Sequence, residues 1–535
     1  MRRREFLKAG ILAGAAAMTD LSLAQESNPA GATRPPEPFE FDEKSSRELQ
    51  SEMESGSESA LSITRKYIER IHNVDTKLTR AVVEINPDAE AIAAALDQER
   101  KAKGPRGPLH GIPILIKDNI DTGDKMKTTA GSLALADNIA LHDSFVAERL
   151  RKAGAIILGK TNLSEWANFR STHSTSGWSG RGGLTRNPYA FDRNTSGSSS
   201  GTGAAVAASF CTIGIGTETD GSIVSPSNNN GIVGIKPTVG LIGRTGIIPI
   251  SSSQDTAGPM ARTVTDAAIL LGALAAKGPR DAAAVPAGKY LSDYTRFLDP
   301  NGLKGARIGV VRKFFGFSDA VDAVMTKALD LMKAQGAVLV DPAEITTLGK
   351  FDDSENEVLL YEFKAGVAAY LATCGPGVPY RSLKDLIAFN DSHRDTEMPY
   401  FGQELFRQAE AKGPLTNPKY AAAVRKNRLL ARTNGIDAVM NSHKLDALVA
   451  PSGGPAWTTD LINGDHFSGG SSSPAAVAGY PNINVPAGMI SGLPVGISFF
   501  GRAWSEGLLI KLAFAFEQHC QAREAPKFLS TLPLG

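Results

Sequence analysis

Cysteine, histidine and excess charge are all scarce in this chain. Three cysteines (Cys211, Cys374, Cys520) stand among 535 residues with no CxxC spacing, which argues against a disulfide framework or a structural zinc site. The eight histidines are scattered, with neither an HxxxH pair nor an HExxH motif. Neither a catalytic metal nor a cofactor is therefore expected. Basic and acidic residues nearly cancel, 57 against 56, leaving a net charge of +1. That balance supports neither a nucleic-acid partner nor an electrostatic membrane partner. No internal repeat is present. The apolar stretch AGILAGAAAM near the start is well short of the ~20 residues a membrane span needs, and no later segment is longer. Hydrophobic content of 42% and charged content of 21% fit a globular protein. The length suggests two to four domains.

Glycine, by contrast, is abundant. There are 54, about a tenth of the chain against roughly 7% in average proteins. The most telling segment is Thr195 to Pro226, TSGSSSGTGAAVAASFCTIGIGTETDGSIVSP. Glycine and serine at this density suit a flexible linker, but a linker does not carry AAVAASF and TIGIGT in its middle. The pattern reads as two tight, small-residue loops joined by a buried helix and a strand. Such loops let substrate and backbone N–H groups approach a hydroxyl nucleophile.

The N-terminus has the layout of a signal peptide, a basic start followed by a short apolar run. Arg3 and Arg4, then Glu5, Phe6, Leu7 and Lys8, resemble the bacterial twin-arginine export signal. Arg2 stands where that signal often has Ser or Thr. Ser22-Leu23-Ala24 is a small-x-small cleavage site, with Ala17 as a rival. Export to the periplasm is expected over a short N-terminal anchor. Residues 1–24 are thus read as the signal, and 25–40, polar and Pro-rich, as a linker.

Beyond the linker the pattern alternates. Helical spacing runs through 43–73, and Pro87-Asp88 precedes a helix AEAIAAALDQERKAK. The run IPILIK suits a buried strand whose charged end, Lys117, meets a cleft. FVAERLRKAG reads as a helix and AIILGKTN as another buried strand. Glycine-punctuated short strands follow Pro226. A helix over 262–276 has Thr265 as its N-cap, and 305–345 gives strand, helix and strand. Residues 355–445 are more polar and helical, a layer beside the sheet. Short strands LVAPS, INVPAG and PVGISFFG and a helix SEGLLIKLAFAFEQH close the chain. This alternation predicts an α/β fold with a mixed sheet.

A serine hydroxyl needs a base. The usual base is histidine, but only His173 lies near the serine cluster in sequence. Lys117 is a second candidate. A free lysine has a pKa near 10.4, and burial disfavours its charged form, so bringing it to ~7–8 costs roughly 4 kcal/mol, within the range known for buried lysines. Taken alone, the same lysine reads first as a strand end in solvent. Gly197-Ser198-Ser199-Ser200-Gly201 also fits the GxSxG elbow, with Ser199 attacking. That elbow needs a preceding strand, which RNPYAFDRNTSG does not resemble.

From HGIPILIKDN through the Gly/Ser segment to VPAGMISGLPVGISFFGR, the chain resembles the amidase signature hydrolases, which use a Ser–cis-Ser–Lys triad. The resemblance implies an amidase-signature fold, a central mixed sheet flanked by helices with an added helical layer, over residues 41–535. It implies Lys117 as base, Ser198 of SGSSSG as proton relay after a cis peptide, and Ser222 of TETDGSI as nucleophile. Ser198 and Ser222 stand twenty-four residues apart, as in the family. The backbone N–H groups of Thr219, Asp220, Gly221 and Ser222 would form an oxyanion hole, with Ser199 as a supporting hydrogen-bonder. Two departures stand out. Ser196 and Ser200 replace glycines of the first loop. Val224 occupies the position, two after the nucleophile, where an Arg is common, so another group must order that loop.

Within the family, HSTSGWSGRGGLTRNPY, GTETDGSIVSP and GIIPISSSQDTAGPMAR look most like bacterial peptide amidases, which convert a C-terminal peptide amide to carboxylate and ammonia. The implied partner is a small-molecule or peptide amide, with no nucleic acid, no membrane in the mature form and no obligate protein partner. Members that transamidate glutamyl-tRNA work in the cytoplasm with partner subunits, which an export signal opposes. The region 355–445 would cover the substrate, and Trp166, Phe169 and Trp178 serve either the cleft or the core. A broader exported amidase for aryl, fatty or small aliphatic amides is one alternative reading. A non-catalytic amide-binding protein on the same scaffold is another.

Overall fold

The computed structural model describes residues 36–533, apart from 279, 280, 282, 284 and 287. The signal and most of the linker lie outside the described residues. Within the segment read as linker, the Phe39 ring packs against Phe41 and Tyr67 at 5.4 and 5.5 Å.

Thirteen strands occur among the described residues. They are β1 (Val82–Ile85), β2 (Pro113–Lys117), β3 (Ile156–Thr161), β4 (Trp178–Ser179), β5 (Gly183–Leu184), β6 (Ile213–Glu218), β7 (Val233–Lys236), β8 (Thr256–Ala261), β9 (Arg307–Val310), β10 (Val338–Val340), β11 (Ala447–Pro451), β12 (Asn482–Ile490) and β13 (Leu493–Phe500). Eleven make one sheet in the order β1-β3-β2-β6-β8-β7-β12-β13-β11-β9-β10, and β4 and β5 pair separately. The sheet is mixed, as expected. β2 runs parallel to β3 and β6, β6 is antiparallel to β8, and β9 is parallel to β10 and β11. The predicted α/β architecture with a mixed central sheet is observed.

The central strands are apolar along their whole length because helices cover both faces. β2, β3, β6 and β7 are buried at every residue. The helix Ser200–Ala207 is buried throughout, which its Gly, Ala and Ser composition permits. Its close packing on the sheet puts Ser198 and Ser199, immediately before it, next to the end of β2.

Several local expectations need correction. The helical segment over 43–73 is two helices, Ser46–Ser55 and Ala60–Arg70, parted by Gly56 at φ 78°, a conformation that favours glycine. The N-cap of Val264–Leu274 is Thr263, whose extended backbone lets its hydroxyl accept from the Asp266 N–H; Thr265 lies inside the helix. Of the short strands expected after Pro226, only β7 forms before β8, and Val224–Asn229 is helical.

Helices Asp352–Leu371, Leu383–Ser392, Glu404–Glu410 and Pro418–Asn427 make up most of the helical layer. It has its own core, in which Phe363, Val367 and Phe406 meet Trp166, Phe169 and Ile248 from the main body. Trp166 lies edge-on to Phe406 at 5.5 Å, and Trp178 is edge-on to Phe401 at 5.2 Å. All three aromatics serve packing, and the layer is fastened by them to the segment that follows β3.

Candidate active site

Three segments converge at the C-terminal ends of β2 and β6. Lys117 closes β2 and is fully buried, so the solvent-exposed reading of this strand end does not hold. Its Nζ lies 2.8 Å from Ser198 Oγ, 3.0 Å from Ser199 Oγ, 2.9 Å from Thr217 Oγ1 and 3.2 Å from Thr217 O. Burial pulls the amine down to about 7, with Glu218 and Asp255 opposing the shift.

The proton inventory around Lys117 is constrained. Ser199 Oγ donates to the Thr217 carbonyl and accepts from the Thr217 N–H, so it meets Lys117 as an acceptor. Thr217 Oγ1 also accepts from Asn119 Nδ2 at 3.0 Å. Ser198 Oγ has no hydrogen-bond partner other than Lys117 among the described residues. A neutral lysine, with two N–H groups and one lone pair, can donate to Ser199 and Thr217 and accept from Ser198.

The Gly197–Ser198 peptide is cis, as the resemblance implied. The loop is fitted tightly. A Cβ on Gly197 would lie 2.2 Å from Ser164 Oγ, and the Ser164 N–H donates to the Ser198 carbonyl. The two serines that replace family glycines have work of their own. Ser196 Oγ lies 2.7 Å from Ser225 Oγ, which ties the two loops together. Ser200 Oγ donates to the Ser196 carbonyl.

Ser222 follows β6 in the second loop. Ser198, Ser199 and Lys117 are 0% exposed, whereas Ser222 is 7% and Thr219 8% exposed. Ser222 is thus less completely sealed than Ser198 and Ser199. The backbone N–H groups of Thr219, Asp220, Gly221 and Ser222 have no acceptor among the described residues. The next two, Ile223 and Val224, donate to one oxygen of Glu218 at 2.8 and 3.0 Å. The group that orders the loop in place of the family's arginine is thus a carboxylate at the end of β6. Burial raises the Glu218 pKa, and the buried Lys236 opposes this. Thr219 Oγ1 donates to Asp255 at 2.6 Å, and Ser472 Oγ donates to Asp220 at 2.5 Å.

Glu218, Asp255, Asn119 and Ser472 escaped the sequence reading. Only Glu218 carried a local signal, as an acid inside a buried strand run. His173, the nearest histidine in sequence, is exposed. The GxSxG alternative lacks its strand, since residues 185–199 are irregular or turn.

A cavity of about 390 Å³ adjoins this cluster, with Asn119, Thr217 and Thr219 on one wall and Ile247, Ile248 and Ala365 on others. Its volume falls within the range of small-ligand pockets. Ala167 lines it, while its neighbours Trp166 and Phe169 face the core.

Hydroxyls beside a buried amine, free N–H groups and an adjoining apolar cavity are the parts of an acyl-transferring hydrolase. The Amidase family model matches residues 62–510. A probable amidase of Arabidopsis thaliana is 42% identical over 474 residues, 87% of each chain. The native peptide amidase of Stenotrophomonas maltophilia is 49% identical with a TM-score of 0.87, covering 92% of this chain and 100% of that one. A structure of the peptide amidase PAM with the competitive inhibitor chymostatin is 50% identical with a TM-score of 0.88, covering 91% and 100%. The chain belongs to the amidase family and is a hydrolase acting on amides.

Proposed function

We propose that this enzyme removes the ammonia of C-terminal peptide amides through Ser222, Ser198 and Lys117. The contact between Lys117 Nζ and Ser198 Oγ carries the reading, because it joins a lysine depressed to about 7 to a hydroxyl with no other partner. Ser222 Oγ attacks the amide carbon and passes its proton to Ser198 Oγ, whose own proton moves to neutral Lys117. The oxyanion is met by the N–H groups of residues 219–222, donors already oriented and unpaired. As the intermediate collapses, the proton returns from Lys117 through Ser198 to the departing nitrogen, and ammonia leaves. Water then attacks the acyl-Ser222 ester over the same relay and gives the carboxylate. Ser199 positions Lys117.

The likeness to peptide amidases supports a peptide as the acyl group. The apolar cavity beside Thr219 suits its side chains, and the helical layer over that cavity would cover them. The N-terminal Arg3-Arg4 pattern supports export to the periplasm, where no partner subunit is required. Ammonia release from C-terminally amidated peptides, compared with anilides of the same peptides and with fatty amides, tests the substrate class. Faster turnover of anilides or fatty amides favours the broader amidase. No turnover of any amide favours the binding protein.

A further inference from the structure

A second cavity, of about 580 Å³, shares Arg244, Ser252 and Glu362 with the one beside Thr219. The two therefore lie side by side, the first lined by Thr219 of the nucleophile loop and the second by Arg428, Arg432, Tyr480 and Trp504.

Most charges in this outer cavity are matched. Arg244 donates to both oxygens of Asp281 at 2.6 and 2.8 Å. Glu362 accepts from Ser251, Ser253 and Tyr420. Arg428 and Arg432 differ. The Arg428 side chain, on an exposed residue, makes no hydrogen bond or ion pair among the described residues. Arg432 uses only its Nε, which donates to the Ala478 carbonyl at 2.6 Å, and its guanidinium lies over the Tyr480 ring at 5.7 Å. Its two terminal nitrogens have no protein acceptor among the described residues. Burial lowers the Arg432 pKa, Tyr480 and Asp437 oppose this, and Arg428 adds to the lowering. Two like charges four residues apart on one helical segment repel each other, and an anion between them would relieve this. A guanidinium fixed at Nε and backed by an aromatic ring presents the planar fork that suits a carboxylate.

We propose that Arg428 and Arg432 form a distal subsite for a side-chain carboxylate on the substrate, so that peptide amides with Asp or Glu upstream of the scissile amide are preferred. The inference rests on the peptide-amidase reading and deepens it.

The test compares short peptide amides carrying Glu, in turn, at each of the four residues before the amide, with the same peptides carrying Gln. At the position that reaches the subsite, kcat/KM for Glu should exceed that for Gln by about tenfold, the weight of one charge-assisted hydrogen-bonded pair. Raising the salt concentration should shrink the ratio. R428Q should lower it, R428Q/R432Q should bring it close to one, and R428K should largely keep it. The same pairs are titrated against the S222A protein, where dissociation constants replace turnover. A Glu preference in binding without turnover of any peptide amide supports the subsite and rejects the peptide-amidase reading. Turnover with equal kcat/KM for Glu and Gln at every position, or a loss in the double variant shared equally by both peptides, overturns the subsite.

Discussion

Lys117 Nζ sits 2.8 Å from Ser198 Oγ, across eighty-one residues of sequence, and both groups are sealed from solvent. A buried ammonium is strongly disfavoured. The fold thus holds the amine near its neutral form in contact with a hydroxyl that has no other hydrogen-bond partner among the described residues.

Replacing Ser222 with Ala should leave the fold intact and reduce kcat by about 10⁴-fold or more. Ammonia release on a model peptide amide, with circular dichroism as the folding control, makes the comparison. Turnover at the parent rate would remove Ser222 from the nucleophile's role.

Lys117 accepts a proton only when neutral. Its amine titrates at about 7, so the reactive fraction grows as pH rises through 7 and shrinks as pH falls below it. The pH profile of kcat/KM should climb about tenfold per unit on the acid side and flatten above 7. Lys117→Ala should lower the rate by about 10²–10⁴-fold, most severely at low pH where any residual base is protonated. A rate indifferent to this change would assign the proton to another group.

Glu218 secures the loop that carries Ser222. Glu218→Ala leaves the Ile223 and Val224 N–H groups without their acceptor, at a cost of about 1–3 kcal/mol. Urea denaturation should report that loss, and kcat should fall more than KM changes. Glu218→Gln keeps an acceptor oxygen and should recover part of both. Equal behaviour of the two variants would argue against hydrogen bonding as the cause.

Gly216 lies in β6 against Ser199. A Cβ there would sit 2.7 Å from Ser199 Oγ and 2.7 Å from Met260 Sδ. Gly216→Ala should cost about 1–3 kcal/mol through overpacking and should disturb the hydroxyl that holds Lys117. Thermal melting and kcat should fall together. A variant with the parent melting point and rate would show that Ser199 moves freely.

Legibility from sequence followed range. β2, β3 and β6 were readable because each is a short apolar run whose burial is written in its own residues. β8, TAGPMA, contains glycine and proline and lacks β periodicity. It is a strand because β6 and β7 pair with it on either side. Thr263 and Thr265 are equally good caps in sequence, and only the backbone angle at 263 separates them. Trp166 and Phe169 gave no local sign of their surroundings, and the helical layer's Phe363 and Phe406 decide them.

The sequence by itself determined the mixed α/β class and the two small-residue loops, because composition and periodicity are local properties, and its resemblance to the amidase signature hydrolases pointed to Lys117, Ser198 and Ser222. Only the tertiary structure decided that Lys117 is buried rather than solvated, and that Glu218 takes the place of the missing arginine. It alone set the apolar cavity beside Thr219 next to an outer cavity lined by two arginines whose terminal nitrogens have no protein acceptor among the described residues. Each of these depends on how distant segments exclude water from one point, and desolvation is a property of the assembled surroundings.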